Sequence, residues 1–271
     1  MFAQLCAQEW RDNGATTTAV LGIHALIGAT SLGVAQLDVP VLSFLLQAVA
    51  IGTFISAPIV VLIRLHVAYW QSMYGSRGYF TMTLPVKGRC LYWAKSIFAF
   101  LFILLALVLT ATGLVAVAWS VAHSNGMTLG EFFQPLRDSI ANMPSWILLH
   151  VLISFLVSIA FLVFPVMAVM SIGAQSQWNH MGFGAPMIGL VLLYLVGQIA
   201  VLIGMILPGA VDLQTGQFTW DSMLFQLINA MGDNGAQPSI VGLGSVVASA
   251  ALTSVMAWWG IRSIERHTSL R

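Results

Sequence analysis

Long apolar runs separated by short polar stretches set the pattern of this chain. Six of them reach the roughly 20 residues that a helix needs to cross a bilayer: 16–36, 41–63, 96–121, 146–170, 184–207 and 239–261. From Ser139 to Val211 there is no Asp, Glu, Lys or Arg. Arg64 closes the second run, because an arginine at the bilayer centre costs about 2.5–3.5 kcal/mol on the insertion scale. Trp146, Trp258 and Trp259 fall near other edges, where indole rings settle at the interface.

Composition points the same way. Only 7% of the 271 residues are charged, against about 25% in a soluble globular domain. Hydrophobic residues reach 59% and the mean hydropathy is +0.91. A soluble fold of this length could not cover so much apolar surface. The expected fold is an all-α integral membrane protein, a single transmembrane domain over 1–271 with six transmembrane helices.

The basic residues predict its orientation. With the N-terminus inside, Arg11, Arg64, Arg77, Lys87, Arg89, Lys95, Arg262, Arg266 and Arg271 are cytoplasmic and only Arg137 is outside, a strong positive-inside bias. Both termini are then cytoplasmic. Asp38, Glu131, Asp138, Asp212, Asp221 and Asp233 face outward.

The segments outside the spans carry weaker patterns. In 1–15, Phe2, Leu5, Cys6 and Trp10 share a helical face, as in an amphipathic elbow on the inner leaflet; a disordered terminus is the alternative. The segment lacks a cleavable signal pattern, so the first span is expected to act as its own insertion signal. In the long outer loops, Thr128 and Glu131 have capping-box spacing ahead of Phe132, Phe133, Leu136 and Ile140. Met223, Leu224, Leu227, Ile228 and Met231 form an apolar stripe ending at Gly232. Both read as short interfacial helices, or as helices packed onto the spans.

Catalytic and energy-converting motifs are missing. Neither Lys87 nor Lys95 follows a glycine, so no phosphate-cradling GxxxxGK[ST] loop exists. No acidic or basic residue lies inside an expected span, which argues against an ion-coupled carrier. His150 and Ser154 are one helical turn apart, but without a GxSxG elbow they read as polar groups bonding a neighbouring helix. A lone His24 reads the same way. Cys6 and Cys90 lack metal-ligand spacing. No catalytic site, metal, resident cofactor or nucleic-acid partner is expected.

One block stands apart. Tyr74-Gly75-Ser76-Arg77-Gly78-Tyr79-Phe80-Thr81-Met82-Thr83-Leu84-Pro85-Val86-Lys87-Gly88-Arg89 is at once basic, aromatic and glycine-punctuated. Arg64 to Tyr74 continues the second helix. Gly75 and Gly78 break it, and 80–84 alternates loosely with threonines. Leu84-Pro85 forces a bend, and a new helix opens near Arg89. The segment 64–95 therefore makes a compact knob below the membrane. A basic loop anchored to anionic lipid is the bland alternative.

The order of these parts resembles the type-two ATP-binding-cassette (ABC) export permeases. The matching positions are Tyr74, Gly75, Gly78, Tyr79, Thr83, Leu84, Pro85, Val86, Ala94 and Lys95, about 22 residues of motif beside a second span. The chain departs from the pattern with Ser76 and Arg77 where acids are frequent, and with Lys87 and Gly88 after Leu-Pro-Val. The resemblance implies a transmembrane permease subunit in the plasma membrane of a bacterial cell. It would export a hydrophobic or amphipathic substrate such as a peptide, lipid or drug. ATP and Mg would reside on separate cytosolic ABC ATPase subunits, and a second permease, identical or paralogous, would complete the pathway. Contact with the ATPase would fall to Tyr74, Gly75, Arg77, Gly78, Tyr79, Leu84, Pro85, Lys87 and Arg89. A non-transporting scaffold or channel subunit is the alternative.

The orientation is directly testable. In sealed right-side-out cells, cysteines introduced at Gly130 or Thr215 are expected to react with an impermeant maleimide, while Cys6 and Cys90 stay unlabelled. Outside labelling of Cys90 would invert the arrangement.

Overall fold

The computed structural model describes residues 2–37, 39–75, 78–83, 85–141, 143–212, 215–232 and 239–266. Six helical runs are long and apolar enough to cross a membrane: Phe2–Ala35, Val41–Met73, Gly88–Ser124, Ser145–Gly173, Gly184–Ile206 and Gly244–Arg266. The protein is a multi-pass, helical membrane protein. Its chain divides into two compact units, Met1–Val86 with Cys90–Asn142, and Lys87–Arg89 with Met143–Arg271.

In the first unit, α1 (Phe2–Glu9) runs through a π-helical turn (Trp10–Gly14) into α2 (Ala15–Ala35) without a break. The segment read as a separate elbow is thus continuous helix with the first span. Helix α3 (Pro40–Met73) opens on a proline, whose missing N–H costs nothing in a first turn. At 34 residues it is about 51 Å long, well beyond a hydrocarbon core of about 30 Å. The short α4 (Gly78–Thr83) follows, then α5 (Gly88–Ser124), which overshoots the core in the same way.

Phe54 of α3 is the hub of this unit. It is buried beside Leu32, Ala50 and Val117, and its ring lies against Gly28 of α2 and Gly113 of α5, where any Cβ would collide with it. Away from that hub, Gln36 and Gln47 both donate to the Ser120 hydroxyl, at 2.8 and 3.2 Å. The loop beyond α5 forms α6 (Leu129–Phe132) and α7 (Gln134–Ala141). Thr128 and Glu131 make the expected capping box. The Thr128 backbone N–H, and then its hydroxyl, hold the Glu131 carboxyl below its ordinary range.

The second unit packs α8 (Ser145–Gly173), α9 (Gly184–Ile206) and α11 (Gly244–Arg266) at close range. A Cβ on Gly260 would stand 2.7 Å from Ala168, and one on Gly204 would stand 2.6 Å from Ser245. Small residues let helices approach in lipid, where no hydrophobic force drives them together. Two further glycines of α9 are spent in the same way, since Gly189 meets Val169 and Gly197 meets Phe161. Gly22 and Gly33 of the first span meet nothing within 4 Å. A buried relay ties α8 to α11: Gln175 donates to the Ser263 hydroxyl at 3.0 Å, which donates to the Ser171 carbonyl at 2.8 Å.

Between α9 and α11 the chain forms a three-stranded antiparallel sheet in the order β2-β1-β3, from β1 (Ala210–Asp212), β2 (Phe218–Thr219) and β3 (Ile240–Gly242). Helix α10 (Met223–Gly232) lies between β2 and β3 in sequence. The sheet moves the start of the last span from 239 to Gly244, because Ile240–Gly242 pairs with β1 instead of continuing as helix.

Phe54 makes the packing testable. Gly28→Val or Gly113→Val is expected to cost about 1–3 kcal/mol by overpacking the ring. Gly22→Ala, which faces open space, is expected to stay within about 0.5 kcal/mol. Unfolding of the purified chain in detergent distinguishes them.

Candidate functional site

The knob is built from its buried side outward. Beyond Arg64, α3 continues as a helix to Met73, with Tyr69 and Met73 fully buried. Tyr74 closes the helix and packs its ring on Trp70 at 5.3 Å and Tyr69 at 6.3 Å. At Gly75 a Cβ would stand 2.9 Å from the Gln71 carbonyl oxygen, so the chain can leave the helix here only with a bare Cα. The Gly78 N–H then donates to the Gly75 carbonyl at 2.8 Å, and Gly78 is buried.

Residues 80–83, expected as a loose alternation, are helical instead and belong to α4. An apolar–polar alternation this short cannot set a period, and tertiary contact decides it. The Thr81 hydroxyl donates to the Ser72 carbonyl at 2.7 Å, pinning α4 to the end of α3. Tyr79 and Phe80 are left outward, 54% and 67% exposed. Pro85, Lys87 and Arg89 are also exposed. Arg77 and Leu84 lie outside the described residues.

The first turn of α5 belongs to the second unit. A Cβ on Gly88 would come within 2.7 Å of Ile264, and the Arg89 backbone N–H donates to the Glu265 carboxylate at 3.3 Å. A carboxylate at a helix N-terminus satisfies an otherwise orphaned donor and complements the helix dipole.

The knob has a wall that the motif does not include. Within the first unit, a cleft of about 470 Å³ lies between the N-terminal helix and the knob, lined by Gln8, Glu9, Asp12, Gln71, Thr81 and Lys95 among others. Along it, Lys95 forms an ion pair with Glu9, and both are buried. The second Glu9 oxygen accepts from the Asn13 amide at 3.1 Å. A second cleft, of about 600 Å³, brings Gln4, Arg11 and Asp12 opposite Pro85 and Val86. The sequence marks Lys95 as a cytoplasmic basic residue and a motif position, and nothing in it singles out Glu9 as its partner. The available signal was an acid ahead of the first apolar run and a lysine at the mouth of the third.

Among the described residues, no group of three potential metal-ligating side chains occurs. The Ser154 hydroxyl lies 3.2 Å from His150 Nε2 and donates to the His150 carbonyl at 2.7 Å, so its proton goes to its own helix and not to a neighbouring one. His24 Nδ1 sits 2.8 Å from the Val20 carbonyl, again within its own helix. What the knob offers within the first unit is an aromatic surface, from Tyr79 and Phe80, with a polar cleft behind it. Comparison with protein-family models, characterised proteins and solved structures finds no match for this chain.

Breaking the buried pair is expected to be costly. Glu9→Gln or Lys95→Met should lower stability by about 3–5 kcal/mol, because each strands a buried charge or donor, whereas the Glu9→Met/Lys95→Met double variant should recover most of the loss. Chemical unfolding in detergent micelles reads all three variants.

Proposed function

We propose that this chain is the transmembrane permease subunit of a type-two ABC export system in the plasma membrane of a bacterial cell. Its termini are cytoplasmic, and its outer helices α7 and α10 lie at the membrane interface. Paired permease chains, identical or paralogous, move a hydrophobic or amphipathic substrate outward. Cytosolic ABC ATPase subunits bind ATP and Mg and supply the energy.

The observation that carries this reading is the construction of α4. A six-residue helix is pinned through Thr81 to the end of α3, where Tyr69 and Met73 are buried, and turns Tyr79 and Phe80 outward. A lipid-anchoring loop has no need of such backing. A joint that passes force to two spans does, because motion of a docked ATPase would be lost in a soft connection. Exposed aromatics, followed within ten residues of sequence by Lys87 and Arg89, suit an acidic, partly apolar groove on the partner. Leu136 and Ile140 of α7, and Phe225, Ile228 and Met231 of α10, are exposed, as interfacial helices require.

The pure chain is expected to show no ATP hydrolysis, and a cytosolic ATPase to co-purify with it. Gly78→Val should leave membrane insertion intact while weakening ATPase docking or leaving hydrolysis uncoupled from transport. Charge reversal at Arg77, Lys87 and Arg89 should lower partner affinity, and high salt should erase the difference. Parent-like binding and transport in both variants would sink the exporter reading and leave a scaffold or lipid-anchored loop.

A further inference from the structure

Arg64 carries a charge that no described carboxylate balances. Among the described residues, Arg64 is held by neutral oxygens alone. Its Nη1 donates to the Thr17 hydroxyl and, at 3.5 Å, to the Asn13 carbonyl, while Nη2 donates to the Thr16 hydroxyl. These contacts use three of the five guanidinium hydrogens. The Nε–H and one Nη2 hydrogen are left for a further acceptor, and a guanidinium fork has the geometry to meet two phosphate oxygens.

Depth in the membrane follows from polarity along the helix. The continuous run Phe2–Ala35 carries Arg11, Asp12 and Asn13 and then no charged residue as far as Ala35, and charged side chains avoid the hydrocarbon. Thr16 and Thr17, which follow within a turn, therefore lie at one hydrocarbon boundary. Arg64 is tied to that turn and stands at the same level, where lipid phosphates begin. Arg64 is half-buried and Thr16 is exposed. Val60, Ile63 and Val67, on the same side of α3, are 39%, 58% and 44% exposed, an apolar strip along which acyl chains can lie. A charged head above bare hydrocarbon-facing side chains has the layout of a phospholipid.

We propose that Arg64, oriented by Thr16, Thr17 and Asn13, binds the phosphodiester of an anionic phospholipid headgroup. The bound lipid supplies the missing negative charge. It also braces the junction of α2 and α3 beside the π-helical turn. This assignment stands independently of the transport reading.

The test uses the purified full chain in neutral detergent, with phosphatidylglycerol, phosphatidylcholine or inorganic phosphate added. Native mass spectrometry is expected to show a retained phosphatidylglycerol adduct, and thermal unfolding a higher midpoint with that lipid than with phosphatidylcholine. Arg64→Gln should weaken the adduct about tenfold or more, the loss of a charge-assisted bidentate contact. Arg64→Lys, which keeps the charge and lacks the fork, should fall between. If Arg64→Gln does not fold, Thr16→Val serves, since it frees the guanidinium without removing it and should also weaken the adduct. Equal binding of both lipids, or an adduct unchanged in these variants, would overturn the proposal and leave Arg64 as a tie between two helices. Stabilisation by inorganic phosphate equal to that by the lipid would also overturn it, in favour of a free-anion site.

Discussion

In hydrocarbon there is no water to receive a backbone N–H or C=O, and this constraint governs both units. It makes each span a helix and leaves polar side chains to find partners nearby. Thr30, Thr112 and Ser154 donate to carbonyls one turn back in their own helices. Irregular backbone is correspondingly concentrated outside the long helices: in the turn at Gly75, in the bend after α4, and in the sheet between α9 and α11. Where helices come close, glycine does the work, as at Gly260 on Ala168 and Gly204 on Ser245.

The six spans were legible because a run of about 20 apolar residues has few other fates. Their ends were less so. Hydropathy marks where lipid stops, whereas a helix stops where its hydrogen bonding does, so α3 and α5 run on to Met73 and back to Gly88. The sheet was illegible, since strands of two or three residues carry no period, and its hydrogen bonds join β1 to β3 across an intervening helix. The break at Gly75 could be read because a glycine acts on its own neighbours in the chain. Glu9 and Lys95 could not be paired from the sequence, because their contact is made across 86 positions and depends on how the first and third spans pack.

Mechanically, the knob is more than the loop between two spans. The N-terminal helix forms its second wall, and the buried ion pair fastens that wall to the opening of α5. A buried pair adds little net stability compared with apolar side chains of similar size. It does favour one mutual arrangement of its two helices over nearby alternatives. Stiffness in a connecting element comes from such selectivity as much as from the number of contacts.

The π-helical turn at Trp10–Gly14 bears on how this chain can change over generations. Such a turn accommodates one residue more than the α-helix around it. Wound as a regular α-helix, the same residues would carry Phe2–Glu9 about 100° further around the axis, and Glu9 would face away from Lys95. Deleting a single codon in the turn would instead restore a regular helix and leave Glu9 on its present bearing. Descendants of this sequence can therefore lose one residue between 10 and 14 and keep the pair, whereas losing the wide turn while keeping its residues would part it.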